Sequence, residues 1–230
     1  MDRHTAIVTG ANRGIGRAVS RQLARLGMQV LMASRDRVAG EAAAAELSGD
    51  GLRVSAIELD VADADAVAAC ASALSARGID VDVLVNNAGV FPNGDVLSAS
   101  PTAFVEALNV NALGALWCAR AWLPGMRARG YGRIVNLSTG YSAFSRGLDG
   151  PAPYSISKAA LNAVTVKLAQ VAGPGVLVNA VDPGWVRTRM GGADAPIDVE
   201  DAAADVVAAV CLPDEGVRGR LLRHGEAVDW

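Results

Sequence analysis

Tyr154 and Lys158 stand four residues apart in Tyr154-Ser155-Ile156-Ser157-Lys158. The stretch runs on through Ala159, Leu161 and Val164 as a helix would, so the phenol and the ammonium project from one face. A cation there favours the phenolate and lowers a tyrosine pKa from its usual value near about 10, which suits proton transfer near neutrality. Composition sharpens the signal, because the chain holds 19 Arg but only 2 Lys. A Lys four residues after any of the 3 Tyr is expected about 0.03 times by chance. An exposed Tyr beside a solvated Lys is the bland alternative.

A second cluster lies near the start, in Thr9-Gly10-Ala11-Asn12-Arg13-Gly14-Ile15-Gly16. Glycines so placed allow a tight turn and let a pyrophosphate approach the backbone. A helix opening there offers free N–H groups and the positive end of its dipole to the anion. With 25 Gly in the chain, the spacing alone is expected roughly 0.3 times by chance. Its place between the first strand and the first helix gives it weight.

The elements that must position these residues alternate along all 230 residues. Strands are predicted at Thr5–Thr9, Gln29–Ser34, Arg53–Leu59, Val81–Asn86, Arg133–Thr139, Val176–Val181 and Gly219–Arg223. Several are nearly unbroken Val, Ile and Leu, the composition of parallel strands covered on both faces. Helical stripes lie between them: Ile15, Val19, Leu23 and Leu26; Val67, Ala71 and Leu74; and Val199, Ala203, Val206 and Val210 behind a capping Asp198. Gly40–Leu47 reads as a surface helix. Repeated β-α units imply right-handed crossovers and an α/β fold, one doubly wound parallel sheet of about seven strands with helices on both faces. No linker or repeat divides the chain, so a single domain over 1–230 is expected.

Composition narrows the classes further. Hydrophobic residues make up 51%, which excludes a disordered chain, and no apolar stretch of about 20 residues is read as a membrane span. No leader is visible ahead of the first strand. Cys70, Cys118 and Cys211 are odd in number and far apart, which fits buried thiols in a reducing compartment rather than a disulfide framework or a metal site. A net charge of −3 gives no basic face for nucleic acid. A soluble cytoplasmic protein is expected.

Together these residues resemble the short-chain dehydrogenase/reductase family, over nearly the whole chain. Thr9–Gly16 is similar to its cofactor loop, Asn86-Asn87-Ala88-Gly89 to its motif after the fourth strand, Tyr154…Lys158 to its catalytic pair and Pro183-Gly184 to its turn after the sixth strand. The resemblance implies a Rossmann-type sheet and hydride transfer between a nicotinamide cofactor and a carbonyl or alcohol. It implies cofactor contacts at Gly10, Asn12, Arg13, Gly14, Ile15 and Gly16, with Asp60 and Val61 flanking the adenine. Asn87, with Ala88 and Gly89, would lie on the adenosine side, and Val186 and Thr188, beyond Pro183 and Gly184, at the carboxamide. Tyr154 would serve as proton donor, and Lys158 would tune it and hold the nicotinamide ribose. Asn111, followed by Gly114, is similar to the family's helix asparagine that anchors a proton-relay water; an Asn bonding helix backbone is the alternative. The family's catalytic Ser falls here on Thr139, preceded by Ser138. Strand alternation turns only one of those hydroxyls into the site, with Thr139 favoured.

Cofactor choice is read at the end of the second strand, where an acid pairs with a ribose 2′-hydroxyl and an Arg accommodates a 2′-phosphate. By the resemblance, Ser34 occupies the family's acid-type position and Arg35 the position that members using NADP fill with a basic residue, with Arg13 a second family marker for the phosphate, so NADP is expected. The competing reading gives the ribose to Asp36. Phe91, Tyr141, Phe144, Trp185 and Met190 are candidates for an apolar substrate wall or for plain loop packing. Only nine residues separate Thr188 from Asp198, a short lid that suits an open cleft. The resemblance also implies a homodimer or homotetramer through the helices around Asn111 and Tyr154. Two rivals stand beside an NADPH-dependent reductase of ketones or aldehydes. One is an NAD-dependent alcohol dehydrogenase; the other is a non-catalytic dinucleotide-binding regulator, which would have no need for Tyr154, Lys158 and Asn111 together.

Overall fold

The computed structural model describes residues 4–230. Its sheet holds eight strands in the order β3-β2-β1-β4-β5-β6-β7-β8: β1 Thr5–Thr9, β2 Gln29–Ser34, β3 Val54–Glu58, β4 Val83–Asn86, β5 Gly132–Leu137, β6 Val176–Val181, β7 Leu221–Arg223 and β8 Glu226–Val228. All neighbours are parallel except β7 and β8. That is one strand more than the sequence suggests. The extra strand returns through His224 and Gly225, both at positive φ (50° and 79°), the backbone of a two-residue hairpin. Three residues of Glu-Ala-Val carry too little alternation to be read as a strand. β5 stops at Leu137, so Ser138 and Thr139 already lie in the turn that follows.

The helices are α1 Gly14–Arg25, α2 Arg37–Gly49, α3 Ala64–Ala76, α4 Pro101–Leu108, α5 Gly114–Arg129, α6 Ala152–Val171 and α7 Val199–Val210. They sort onto the two faces by strand alternation. Ala6 and Val8 of β1 pack with Val19 and Leu23 of α1, Leu47 of α2 and Val206 of α7. Ile7, between them, packs with Val67 of α3, Trp122 and Met126 of α5 and Leu168 of α6. Two expectations change at the surface. α2 buries Gly40, Ala43, Ala44 and Leu47, so only its other side is a surface. Asp198 precedes α7 without a side-chain capping bond, because its carboxylate pairs with Arg187 at 3.0 Å.

The helical run Pro101–Arg129 has the length and apolar composition of a membrane span, although none was expected. In this fold it is a crossover between β4 and β5, and Cys118, Ala119, Leu123 and Met126 are buried against the sheet. Gly114 starts α5 so close to Val61 that an added Cβ would lie 2.9 Å from the Val61 side chain. No disulfide joins the three cysteines; Cys118 is buried, whereas Cys70 and Cys211 are only partly so.

Chain direction across the sheet reverses between β1 and β4. The connections leaving the carboxyl ends of β1 and β4 turn away to opposite sides, and between them lies the crevice in which ligands of such sheets bind.

Candidate active site

The glycine segment lies at that crevice. Gly10 and Gly14 hold φ of 62° and 54°, values that cost other residues strain. Helix α1 opens behind Arg13 with no side-chain cap, so its first N–H groups face the crevice without a side-chain acceptor. Asn87 has a role the sequence did not suggest. Its amide nitrogen donates to the Thr9 carbonyl at 2.8 Å and the Gly10 carbonyl at 3.1 Å. A Cβ at Gly16 would meet that nitrogen at 2.5 Å. Thr9 completes the brace: its hydroxyl oxygen accepts the backbone N–H of Asn87 and of Ala88, each at 3.0 Å. The Thr188 side chain reaches the other flank, 3.5 Å from where a Gly14 Cβ would stand. A pyrophosphate fits this cradle, since the backbone is bare and the only groups a Cβ would displace are those that shape the loop.

Arg35, at the end of β2, and Arg13, at the N-cap of α1, are both exposed. Ser34 is buried, and its hydroxyl donates to the Asp36 carbonyl at 3.0 Å. Asp36 caps α2, its Oδ1 accepting the Ala39 N–H at 3.0 Å. Beyond β3, Asp60 accepts the Ala62 N–H at 3.0 Å and Val61 is buried against Gly114.

Tyr154 and Lys158 both lie on α6 and are both buried. The Lys158 ammonium sits 5.9 Å from the Tyr154 ring centroid and donates to the Leu137 carbonyl at 2.6 Å. The expected lowering of the phenol pKa by Lys158 does not hold in this geometry. Burial, then the negative charge of Asp182, push the Tyr154 phenol well above its ordinary range, while a hydrogen bond from Thr139 works the other way. Asp182, just ahead of Pro183, went unnoticed in the sequence. It is buried, accepts the Gly184 N–H at 2.9 Å, and lies 3.4 Å from the Arg223 guanidinium.

Of the two adjacent hydroxyls, Thr139 faces the Tyr154 phenol. Ser138 turns away, donating to Asn162 Oδ1 at 2.6 Å. Asn111 sits in a π-helical turn, Asn109–Leu113, and is buried. Its side chain accepts the Val90 N–H at 2.8 Å and donates to the Val90 carbonyl and the Ser157 hydroxyl, both at 2.9 Å. That side chain thus ties the loop after β4 to α6. These bonds occupy the side-chain amide, so no free side-chain group of Asn111 is turned into the site. Gly89 stands between Asn111 and Lys158: a Cβ there would lie 3.1 Å from Asn111 Oδ1 and 3.8 Å from Lys158 Nζ.

Among the expected wall residues, Phe91 packs against Tyr154 with ring centroids 4.5 Å apart. Tyr141, Phe144, Trp185 and Met190 are exposed. The lid is short and tied down. Val186 bridges Ile197, and the Trp185 indole N–H donates to the Gly191 carbonyl at 2.7 Å.

Residues 4–196 match the family model for short chain dehydrogenase. The chain belongs to that family. It is 38% identical over 220 residues to the short-chain reductase protein NovJ of Streptomyces niveus, covering 91% of this chain and 82% of the relative. Solved structures agree. A gluconate 5-dehydrogenase from Burkholderia cenocepacia, in complex with NADP and tartrate, superposes with a TM-score of 0.87 at 27% identity, covering 100% of this chain and 94% of that one. A 3-oxoacyl-[acyl-carrier protein] reductase from Brucella melitensis with bound NAD gives a TM-score of 0.84 at 27% identity, covering 96% and 89%. This short-chain dehydrogenase is therefore an oxidoreductase of a family that uses nicotinamide cofactors.

Burial of Lys158 makes a prediction about stability. Desolvation pulls its pKa from 10.5 down to about 8. Below that value both folded and unfolded chains carry the charge, and the fold bears the full cost, about 3 kcal/mol. Between about 8 and 10.5 the folded form sheds its proton first, so stability rises with pH through this window and the cost then vanishes. Lys158→Met is expected to stabilise the cofactor-free protein at pH 7 by ~2 kcal/mol, the difference from 3 being the orphaned Leu137 carbonyl. Denaturant unfolding at pH 7 and pH 10 measures it. A gain that does not shrink with pH, or a loss at pH 7, rejects charge burial as the cause.

Proposed function

We propose that this short-chain dehydrogenase reduces a ketone or aldehyde to an alcohol with NADPH. The carrying observation is the end of β2, where the Arg35 guanidinium is exposed and one oxygen of Asp36 caps α2. A guanidinium there suits a 2′-phosphate in charge and geometry, and Arg13 adds a second. The similar structures include both an NADP and an NAD complex, so the preference rests on these residues.

When bound, the reduced cofactor supplies hydride to the carbonyl carbon. The chain's own residues do the rest. Tyr154, protonated at neutral pH because burial disfavours its anion, gives its proton to the carbonyl oxygen. Thr139 donates a hydrogen bond to that oxygen and stabilises the charge that develops on it. Its oxygen accepts the Tyr141 N–H at 3.3 Å, and the proton it directs at the Tyr154 phenol would turn to the substrate oxygen when substrate is bound. Lys158, on the same face of α6, is placed to hold the nicotinamide ribose. Phe91 and the exposed Tyr141, Phe144, Trp185 and Met190 would form an open, apolar approach.

Exposed Val105 on α4 and Ile156 on α6 are consistent with a homodimer or homotetramer through those helices. A cytoplasmic location and a small-molecule partner, with neither nucleic acid nor membrane, complete the proposal.

The test is oxidation of NADPH by purified protein against a panel: 4-nitrobenzaldehyde, phenanthrenequinone, ethyl acetoacetate and an acetoacetyl thioester. At least one is expected to be turned over. If NADPH and NADH are both inert with every compound while the dinucleotides still bind, the regulator reading replaces this one. If activity appears only as NAD-dependent oxidation of the matching alcohols, the dehydrogenase reading does.

A further inference from the structure

Three buried polar side chains lie where the turn after β5 meets α6, and the chemistry described above uses none of them. They are Ser138, Ser142 and Asn162. Asn162 is four residues past Lys158 and eight past Tyr154, so all three share one face of α6. Asn162 Oδ1 accepts from Ser138 at 2.6 Å, and its Nδ2 donates to the Ser142 hydroxyl oxygen at 2.8 Å. The Ser142 hydroxyl in turn donates to the Thr139 carbonyl at 2.5 Å.

Ser138 gives its only proton to Asn162, and Ser142 can then direct its own to the Thr139 carbonyl at 2.5 Å or to the Ser138 oxygen at 3.0 Å, the carbonyl being the nearer acceptor. The chain of donors runs from Asn162 through Ser142 to the backbone of Thr139, the residue whose hydroxyl faces Tyr154. Apolar side chains would fill this space without the cost of burying amide and hydroxyl groups. A fully connected polar network instead fixes one geometry.

We propose that Asn162 is a positioning residue for the reduction: through Ser138 and Ser142 it fixes the turn that presents the Thr139 hydroxyl beside Tyr154. The inference rests on the reading of Thr139 as the donor to the substrate oxygen.

A double-mutant cycle in the full chain tests it, with NADPH and whichever compound of the panel wild type reduces. Thr139→Val is expected to lower kcat about 10²-fold, the scale of a lost oxyanion donor. Asn162→Leu is expected to lower kcat about tenfold with KM for NADPH unchanged, since a backbone bond from Ser142 to Thr139 (3.1 Å) still restrains the turn. With Val at position 139, Asn162→Leu should cost nothing further in kcat while its effect on Tm persists. A merely structural role would instead multiply the two losses. Full kcat in Asn162→Leu, or multiplied losses, overturns the proposal. If Asn162→Leu fails to fold, Ser142→Ala takes its place under the same criteria. Near wild-type kcat in Thr139→Val, or a greater loss in Ser138→Ala, would instead sink the role of Thr139 itself.

Discussion

Tyr154→Phe is expected to lower reductive turnover about 10²-fold or more while NADPH binding survives, the signature of a lost general acid. The substitution removes one oxygen from a buried ring and keeps the ring itself, which packs 4.5 Å from Phe91. The partner named for that oxygen is Thr139 rather than the cradle at Gly10–Gly16, so a fluorescence titration with NADPH should look like wild type. Turnover within about threefold of wild type would remove Tyr154 from the mechanism.

The direction of the Tyr154 shift adds a pH signature. Burial is the largest cause and Asp182 adds to it, so the phenol stays protonated across neutrality and beyond. Reduction, which needs the acid, should hold steady as pH rises from 7 to 9. Oxidation of the product alcohol, which needs the phenolate, should climb about tenfold per pH unit over the same range. The reversed pattern would mean that bound cofactor overrides the environment of the cofactor-free site.

The sheet was legible because its strands are apolar runs with sharp ends: β1, β2 and β6 fall where Val, Ile and Leu begin and stop. What escaped was either too short for a pattern, as β8 was, or determined by partners far away in sequence. Thr9 and Asn87 are 78 residues apart, and their mutual brace exists only once β1 and β4 are neighbours. Asn87 was read as a ligand contact for that reason, since nothing local shows its amide turned back on the glycine loop. Tyr154 and Lys158 could be found from spacing, yet the sign of the phenol's shift could not. Spacing reports which charges are near in sequence, whereas burial under the loop carrying Phe91 and the approach of the distant Asp182 charge arise only in the folded chain. Asn162 carried a usable local signal, its position one turn past Lys158.

Arg35→Leu is expected to raise the KM for NADPH by roughly 10- to 150-fold and leave that for NADH nearly unchanged. The range corresponds to one charge-assisted hydrogen bond, about 1.5–3 kcal/mol. Arg35 is exposed and makes no part of the core, so the change should not disturb folding. Ser34→Asp should go further, setting a carboxylate against the phosphate while offering NADH a ribose partner. The Ser34 side chain is buried close under Gly40, where a Cβ would come within 3.1 Å of it. Asp36→Ala separates the competing reading. Asp36 caps α2, so its loss should cost about 1 kcal/mol of stability and leave the ratio of kcat/KM for the two cofactors where it was. Measuring that ratio in wild type and all three variants decides the matter. A wild type that prefers NADH, or an Asp36→Ala variant that loses NADH use while Arg35→Leu changes nothing, would transfer the ribose to Asp36 and leave Arg35 as an ordinary surface charge.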